Sequence, residues 1–139
     1  MIKLSKVSEK AIFPTRGSEG AAGWDLYAAE SAYLELGERA LIDTGIASEF
    51  SECVVGIIKP RSGIAFNNGI DVLAGVIDSD FRSTIKVLLI NFGENAFWVN
   101  EGDRIAQILF MPVIHDVVEH DGRVSETARG LGGFGSSGK

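Results

Sequence analysis

The chain has 139 residues, of which 45% are hydrophobic, so it is long and apolar enough for one domain with its own core. Its net charge of −6 and its pI of about 4.9 argue against a general nucleic-acid-binding protein, which needs a basic surface, but they leave room for a small anionic ligand. No run approaches the ~20 apolar residues of a membrane span, and the N-terminus has no signal-peptide pattern. We therefore expect a protein without membrane contact in the cytoplasm, or in the host cytoplasm if it is viral.

Cys53 is the single cysteine of the chain. An internal disulfide is therefore impossible, and a metal cage built from thiolates is excluded. Because Cys53 opens the apolar run "CVVGII", we expect it to be buried as a small hydrophobic side chain.

Short apolar segments separated by turn residues run through the chain, which is typical of an all-β sandwich or barrel. Residues 62–69 predict one short helical turn, and residues 19–30 are ambiguous between helix and strand. We find no linker, and we expect one β domain over residues 1–128 and a glycine-rich arm over residues 129–139. Segments rich in Val and Ile predict strands at 2–7, 32–37, 40–50, 53–60, 71–78, 84–91, 96–100 and 104–120.

The first candidate site residue is Asp25, in the stretch "AAGWDLYAA". It lies between bulky apolar residues, where an ionised carboxylate must be compensated. Asp25 is therefore either a turn or capping residue, or a carboxylate that is paired with a cation or associated with a metal.

The stretch "KPRSGIA" places Arg61, Ser62 and Gly63 directly after a predicted strand. If a helical turn begins here, its free N–H groups, the guanidinium and the hydroxyl form an anion site. The alternative is an ordinary turn. The stretch is not a Walker phosphate loop, because the pattern GxxxxGK[ST] does not occur.

In the stretch "AGVIDSDFR", Asp78 and Asp80 lie at the end of an apolar strand, just before the aromatic ring of Phe81. Strand alternation places both carboxylates on one face. One of them is a candidate base toward water or acceptor for a sugar hydroxyl, and Phe81 is a candidate for packing on a sugar or base. The alternative is a hairpin corner, since "DSD" is good turn chemistry.

The stretch "EGDRIAQILF" is a turn that leads into a strand. We expect Asp103 and Arg104 to pair with each other, and Gln107 is a candidate for contact with a ligand.

The final eleven residues, "RGLGGFGSSGK", contain five glycines. Such an end is either disordered or an arm that closes over a ligand, with Arg129 pairing with phosphate and Phe134 stacking on a ring.

Together and in this order, the five stretches resemble the five motifs of the trimeric deoxyuridine triphosphatase (dUTPase) family, and the resemblance extends from residue 21 to residue 138. It implies a jelly-roll-like β subunit of the β-clip type, with at most one short helix and a flexible C-terminal arm. It also implies a homotrimer in which each active site draws on more than one chain. The implied reaction is Mg²⁺-assisted hydrolysis of dUTP to dUMP and pyrophosphate, which keeps uracil out of DNA and supplies dUMP for dTTP synthesis.

The resemblance implies roles for the candidate residues in the attack of water on the α-phosphorus. Asp78 would orient or deprotonate the water and bind the 3′-hydroxyl. Asp25 would hold waters on a Mg²⁺ ion that is bound mainly by the substrate phosphates. The phosphate chain would be bound by the remaining polar residues of the motifs and by the arm: Arg61, Ser62, Gly63, Gln107, Arg129 and Gly135.

The resemblance also implies how the nucleoside is selected. Phe134 would stack on uracil, and Phe81, where the family usually has tyrosine, would pack on the deoxyribose and exclude a 2′-hydroxyl. Ser83 and Leu131 also depart from the family pattern, which affects fine specificity and arm kinetics rather than the reaction class. The uracil edge would be read by main-chain groups of a strand pair. One segment of this pair is residues 84–86, where Lys86 contributes only its backbone, and the other consists of Ala74, Gly75, Val76 and Ile77.

Three other hypotheses compete with this one. A dCTP deaminase of similar fold would carry a glutamate in the stretch that reads "GVIDSDF" here. A non-catalytic binding module would have lost site residues that this chain keeps, although a regulatory protein partner alongside catalysis stays open. A structural β protein whose turns only imitate the motifs would not depend on Asp78 or on residues 129–139 for any activity.

Overall fold

The structure is a computed structural model that describes residues 1–116, 118 and 122–133. Within these residues the regular secondary structure is β-strand apart from one short helix, which confirms the predicted fold class. The elements are β1 (Lys3–Lys6), β2 (Trp24–Tyr27), β3 (Ala32–Leu34), β4 (Arg39–Glu49), β5 (Val54–Lys59), α1 (Ser62–Asn68), β6 (Ile70–Leu73), β7 (Val76–Ile77), β8 (Thr84–Asn91), β9 (Phe97–Val99) and β10 (Arg104–Pro112).

Two four-stranded sheets and a two-stranded ribbon make up the domain. The first sheet has the strand order β1-β4-β8-β6, the second has the order β2-β10-β5-β7, and β3 pairs with β9 in the ribbon. All of these pairs are antiparallel, and most neighbours within a sheet are distant in sequence, as in a jelly roll.

The core lies between the inner faces of the sheets. In β8, Ile85, Val87 and Leu89 are buried while the residues between them are more exposed, which is the alternation expected of a strand with one face in the core. Burying each such side chain contributes about 1.5–3 kcal/mol. The same core takes residues from most other strands, including Leu26, Leu34, Ile42, Ile46, Ile58, Ile70, Val99, Ile105 and Ile108.

Asn91 is a fully buried polar side chain at the end of β8. Its amide donates to the main-chain carbonyls of Leu34 at 3.1 Å and Asn95 at 2.9 Å, and its Oδ1 accepts from the N–H of Gly93 at 2.9 Å. Since buried main-chain groups must be satisfied, Asn91 stabilises the turn into β9 and attaches it to the ribbon.

The prediction of a single strand over residues 71–78 was wrong. The segment forms β6 in the first sheet and β7 in the second, and the chain changes sheet at Ala74 and Gly75, whose φ angles are 58° and 100°. Glycine adopts this left-handed region freely, but alanine does so at a cost, so the break is a strained feature of the backbone.

Two further expectations were wrong. The last strand was predicted to extend to residue 120, but β10 ends at Pro112, and residues 113–116 are not in a strand. Cys53 is exposed rather than buried, because it lies in the turn that precedes β5. No helix in the described ranges is long and apolar enough to cross a membrane.

Candidate active site

Asp25 and Arg61 meet in a pocket of about 250 Å³ where the ends of β2, β5 and β10 lie together. The ladder β2-β10-β5 places Asp25 opposite Gln107, and Gln107 opposite Lys59, so the residues that follow Lys59 come to the same end of the sheet. The lining of the pocket combines residues of the first, second and fourth motifs: Gly17, Ala21, Gly23, Asp25, Arg61, Ser62, Gly63, Arg104 and Gln107.

The Asp25 carboxylate is bound by two guanidinium groups. Arg61 Nε donates to Oδ1 at 2.9 Å, and Arg104 Nη1 lies 3.4 Å from Oδ2. The Asp25 side chain is only 14% exposed, so these cations compensate a largely desolvated charge. Of the two alternatives left by the sequence, Asp25 is therefore the paired carboxylate. The expected pair between Asp103 and Arg104 was wrong, because Asp103 accepts from the N–H of Asn100 at 2.8 Å.

The turn after β5 has the form of an anion site. Helix α1 begins at Ser62, and its first intrahelical bond runs from the N–H of Ala65 to the carbonyl of Arg61, so the N–H groups of Ser62, Gly63 and Ile64 have no partner within the helix. Ser62 and Gly63 are exposed at the pocket. Among the described residues, the Ser62 hydroxyl has no hydrogen-bond partner and is open to a ligand.

Gln107 holds this turn in place. Its side-chain amide donates to the carbonyl of Pro60 at 2.9 Å, directly before Arg61. Gly23 allows the close packing of the Gln107 side chain, because a Cβ at position 23 would collide with Gln107 Oε1 and lie 2.9 Å from Cδ. The structure therefore assigns Gln107 a role in shaping the pocket, which the sequence did not indicate.

Asp78 lies elsewhere in the same sheet. With Ser79 and Asp80 it lines a second pocket of about 470 Å³, whose other walls include Val55 and His115. The loop is closed by Arg82, whose guanidinium donates to the carbonyl of Ser79 at 2.7 Å.

The distance between the two pockets follows from the strand register. Ile77 pairs with Gly56, so Asp78 continues the ladder opposite Val55, four residues along β5 from Lys59 and three strand spacings from Asp25. Four residues at ~3.4 Å and three spacings of ~4.8 Å give a separation on the order of 20 Å between Asp25 and Asp78. One chain therefore does not bring the two carboxylates together.

The segments predicted to read a base do not pair with each other. β7 pairs with β5, whereas β8 pairs with β4 along most of its length and with β6 only from Leu88 onward. Because β6 ends at Leu73, residues 84–87 of β8 have a strand on one side only within the described part of the chain. Lys86 is exposed, and Phe81 is 40% exposed at the end of the Asp78 loop.

The described part of the arm does not reach either pocket. Residues 128–131 form a turn in which Arg129 Nε donates to the carbonyl of Gly132 at 2.9 Å. Phe134 and Gly135 lie outside the described residues.

The sequence motifs and the fold agree with those of known proteins. A family model described as dUTPase matches residues 9–138. The chain belongs to the dUTPase family. It is 44% identical over 140 residues to a deoxyuridine 5′-triphosphate nucleotidohydrolase of Nautilia profundicola, with 99% of each chain covered. It is 50% identical over 144 residues to the enzyme of that name from Rhizobium johnstonii, covering 99% of this chain and 92% of the relative.

Solved dUTPase structures share the fold. The dUTPase of Staphylococcus bacteriophage 80alpha in complex with dUpNHpp superposes with a TM-score of 0.91 at 24% identity, covering 100% of this chain and 99% of the other. At this identity the likeness concerns the fold alone, and it agrees with the two-sheet arrangement described above.

Proposed function

We propose that the chain hydrolyses dUTP to dUMP and pyrophosphate by attack of water on the α-phosphorus. The observation that carries the proposal is the pocket in which Arg61, the Ser62 hydroxyl and the N–H groups of the first turn of α1 converge next to Asp25. Membership of the dUTPase family supports it. The reaction would keep uracil out of DNA and supply dUMP for dTTP synthesis.

The pocket suits a triphosphate. Guanidinium groups bind phosphate oxygens through paired hydrogen bonds, and unpaired N–H groups at the start of a helix add further donors. Arg61, Ser62 and Gly63 bind the phosphate chain in this proposal, while Gln107 keeps the turn that carries them in position. The guanidinium groups stabilise the negative charge that accumulates on the phosphates as the bond to the leaving pyrophosphate breaks.

The residues of the pocket fit a Mg²⁺ ion that is bound mainly by the substrate. Within the described residues, no group of three or more His, Cys, Asp or Glu side chains is arranged to hold a metal. Mg²⁺ prefers oxygen ligands and keeps several waters, so the single carboxylate of Asp25 suits an outer-sphere contact. When bound, the ion would neutralise phosphate charge and polarise the α-phosphoryl group.

Asp78 is the proposed acceptor for the proton of the attacking water and for the 3′-hydroxyl. Its exposed carboxylate has no hydrogen-bond partner among the described residues, so it is available to substrate. Phe81 packs on the deoxyribose, where a ring leaves no room for a 2′-hydroxyl. The uncovered edge of β8 at residues 84–86 and the strained turn at Ala74–Ile77 supply main-chain groups for the uracil edge.

The separation of about 20 Å between Asp25 and Asp78 supports assembly of the site from several chains. We propose a homotrimer in which Asp78 of one chain faces the Asp25 pocket of another. Exposed apolar residues near the Asp78 loop support a subunit contact there: Val76 is 63% exposed, Met111 47% and Ile114 87%. The arm, with Arg129, Phe134 and Gly135, would close over phosphates and uracil.

The test is pyrophosphate release from dUTP with Mg²⁺, with UTP, dTTP and dCTP in parallel and EDTA added to a duplicate. We expect release from dUTP alone, abolished by EDTA and reduced roughly 10²–10⁴-fold in Asp78→Asn. Release from UTP would mean that Phe81 does not exclude the 2′-hydroxyl. Ammonia release from dCTP would indicate a deaminase, and a folded protein that acts on no nucleotide would refute the catalytic proposal in favour of a binding module.

A further inference from the structure

We propose that Arg104 is a positioning residue of this site, which holds the Asp25 carboxylate so that Arg61 is free to bind the substrate phosphates. The inference rests on the proposed function and adds a residue to the same site. From the sequence alone, Arg104 was expected only to pair with its neighbour Asp103.

A β-bulge directs Arg104 into the pocket. β10 pairs with β2 so that Gln107 faces Asp25 and Arg104 faces Tyr27, but Ala106 already faces Leu26, which leaves Ile105 as an extra residue in β10. In a regular strand, Arg104 and Gln107 would point to opposite faces because they are three residues apart. The extra residue turns Arg104 to the face of Asp25, and bulges commonly redirect side chains in this way near active sites.

The burial pattern independently supports this geometry. Ile105 and Ala106 are consecutive residues, yet both are buried, with exposed fractions of 1% and 0%. Gln107 is then partly exposed and Ile108 is buried again. The alternation of buried and exposed side chains is therefore regular only after the bulge, and Arg104 lies on the exposed face of β10.

The ion pairs show what Arg104 does there. Arg61 and Arg104 occupy different oxygens of Asp25, and the side chains are 28% and 50% exposed while Asp25 is 14% exposed. If Arg61 were the single counter-ion, turning it to a phosphate would leave a desolvated carboxylate uncompensated, which is strongly unfavourable. With Arg104 on Oδ2, the carboxylate stays compensated while Arg61 moves.

The test is a double-mutant cycle on the binding of dUpNHpp, a dUTP analogue with an N–H in the phosphate chain, measured by calorimetry. EDTA is present so that only the residues of the chain contribute, and about 0.15 M salt limits long-range charge effects. The four proteins are the wild type, Arg104→Met, Asp25→Asn and the double variant. Lys3→Met is the matched control, because it removes one positive charge from the exposed Lys3–Glu49 pair.

We expect Arg104→Met to weaken binding about tenfold in the wild-type background and less than about threefold in the Asp25→Asn background, since Arg104 acts through Asp25. Arg104→Lys should recover binding to within about threefold of the wild type, because it keeps the charge. Lys3→Met should bind like the wild type. Thermal melting of every variant checks that the fold is intact.

Equal losses in the two backgrounds would overturn the inference and show that Arg104 contacts the phosphates directly. No loss in either background would overturn it as well. A wild type that neither binds the analogue nor hydrolyses dUTP would instead refute the proposed function, so the two failures are distinguishable.

Discussion

Two variants that are each inactive, Arg61→Met and Asp78→Asn, should recover activity when their chains assemble in one trimer. Arg61→Met removes a phosphate-binding cation, and its Asp25 keeps Arg104 as a counter-ion, so the fold should survive. Asp78→Asn removes the proposed proton acceptor from an exposed loop. Each variant alone should lose at least about 100-fold in turnover.

The expected recovery follows from the distance between the two pockets. About 20 Å separates Asp25 from Asp78 in one chain, so in the proposed trimer each site takes Arg61 and Asp78 from different chains. In a trimer that contains both variants, two chains are of one kind and one is of the other. Around this ring, about one site in three takes Arg61 from an Asp78→Asn chain and Asp78 from an Arg61→Met chain, so turnover should reach about a third of the wild-type value.

The assay is pyrophosphate release by mixed trimers, in which the two variants carry different affinity tags and are purified through both tags after co-expression. Light scattering establishes that the product is a trimer. The control mixes Asp78→Asn with the double variant Arg61→Met/Asp78→Asn, which assembles in the same way but contains no intact Asp78. Folded, mixed trimers that stay as inactive as this control would refute the shared site, and a monomer by light scattering would refute it too.

Three further predictions concern the pocket, the core and the arm. Gly23→Ala should raise the KM for dUTP about tenfold, because its Cβ displaces the Gln107 side chain, whereas Gly20→Ala, with nothing within 4 Å, should leave KM unchanged; steady-state kinetics compares them. Asn91→Leu should lower the free energy of unfolding by about 3–5 kcal/mol, since two buried carbonyls and one N–H lose their partner, and urea denaturation would contradict this if it gave under 1 kcal/mol. Deleting residues 129–139 should reduce turnover roughly 100-fold without dissociating the trimer, and a monomeric product by light scattering would contradict a role limited to closing the site.

Local chemistry made the fold class and the helical turn after Pro60 predictable. Strands rich in Val and Ile with Gly, Asn and Asp between them indicate a β protein whatever the pairing. Arg61, Ser62 and Gly63 follow a proline that ends a strand, so a helical turn with free N–H groups was an expectation that needed no knowledge of long-range contacts. The structure confirms both points.

Features that depend on pairing between distant strands were not predictable in this way. The apolar run over residues 71–78 looks continuous, but it divides at Ala74 because β6 and β7 pair with strands in different sheets. The partner of Arg104 is 79 residues away in the chain. The bulge in β10 that turns Arg104 toward Asp25 was not identified from the sequence. Alternation alone places Arg104 on the wrong face.

The same ladder explains why the motif residues lie in two separate pockets. Pairing of β2, β10 and β5 brings the first, second and fourth motifs to one end of a sheet, because Asp25, Gln107 and Lys59 are in register. β7 then runs antiparallel to β5 and carries the third motif back toward the start of that strand. The separation of about 20 Å between Asp25 and Asp78 is set by the rise along β5 and by the spacing of the strands. A loop movement that leaves the sheet intact therefore does not close it. If Asp25 and Asp78 serve one reaction, the register that assembles the phosphate pocket is therefore also what makes a second chain necessary.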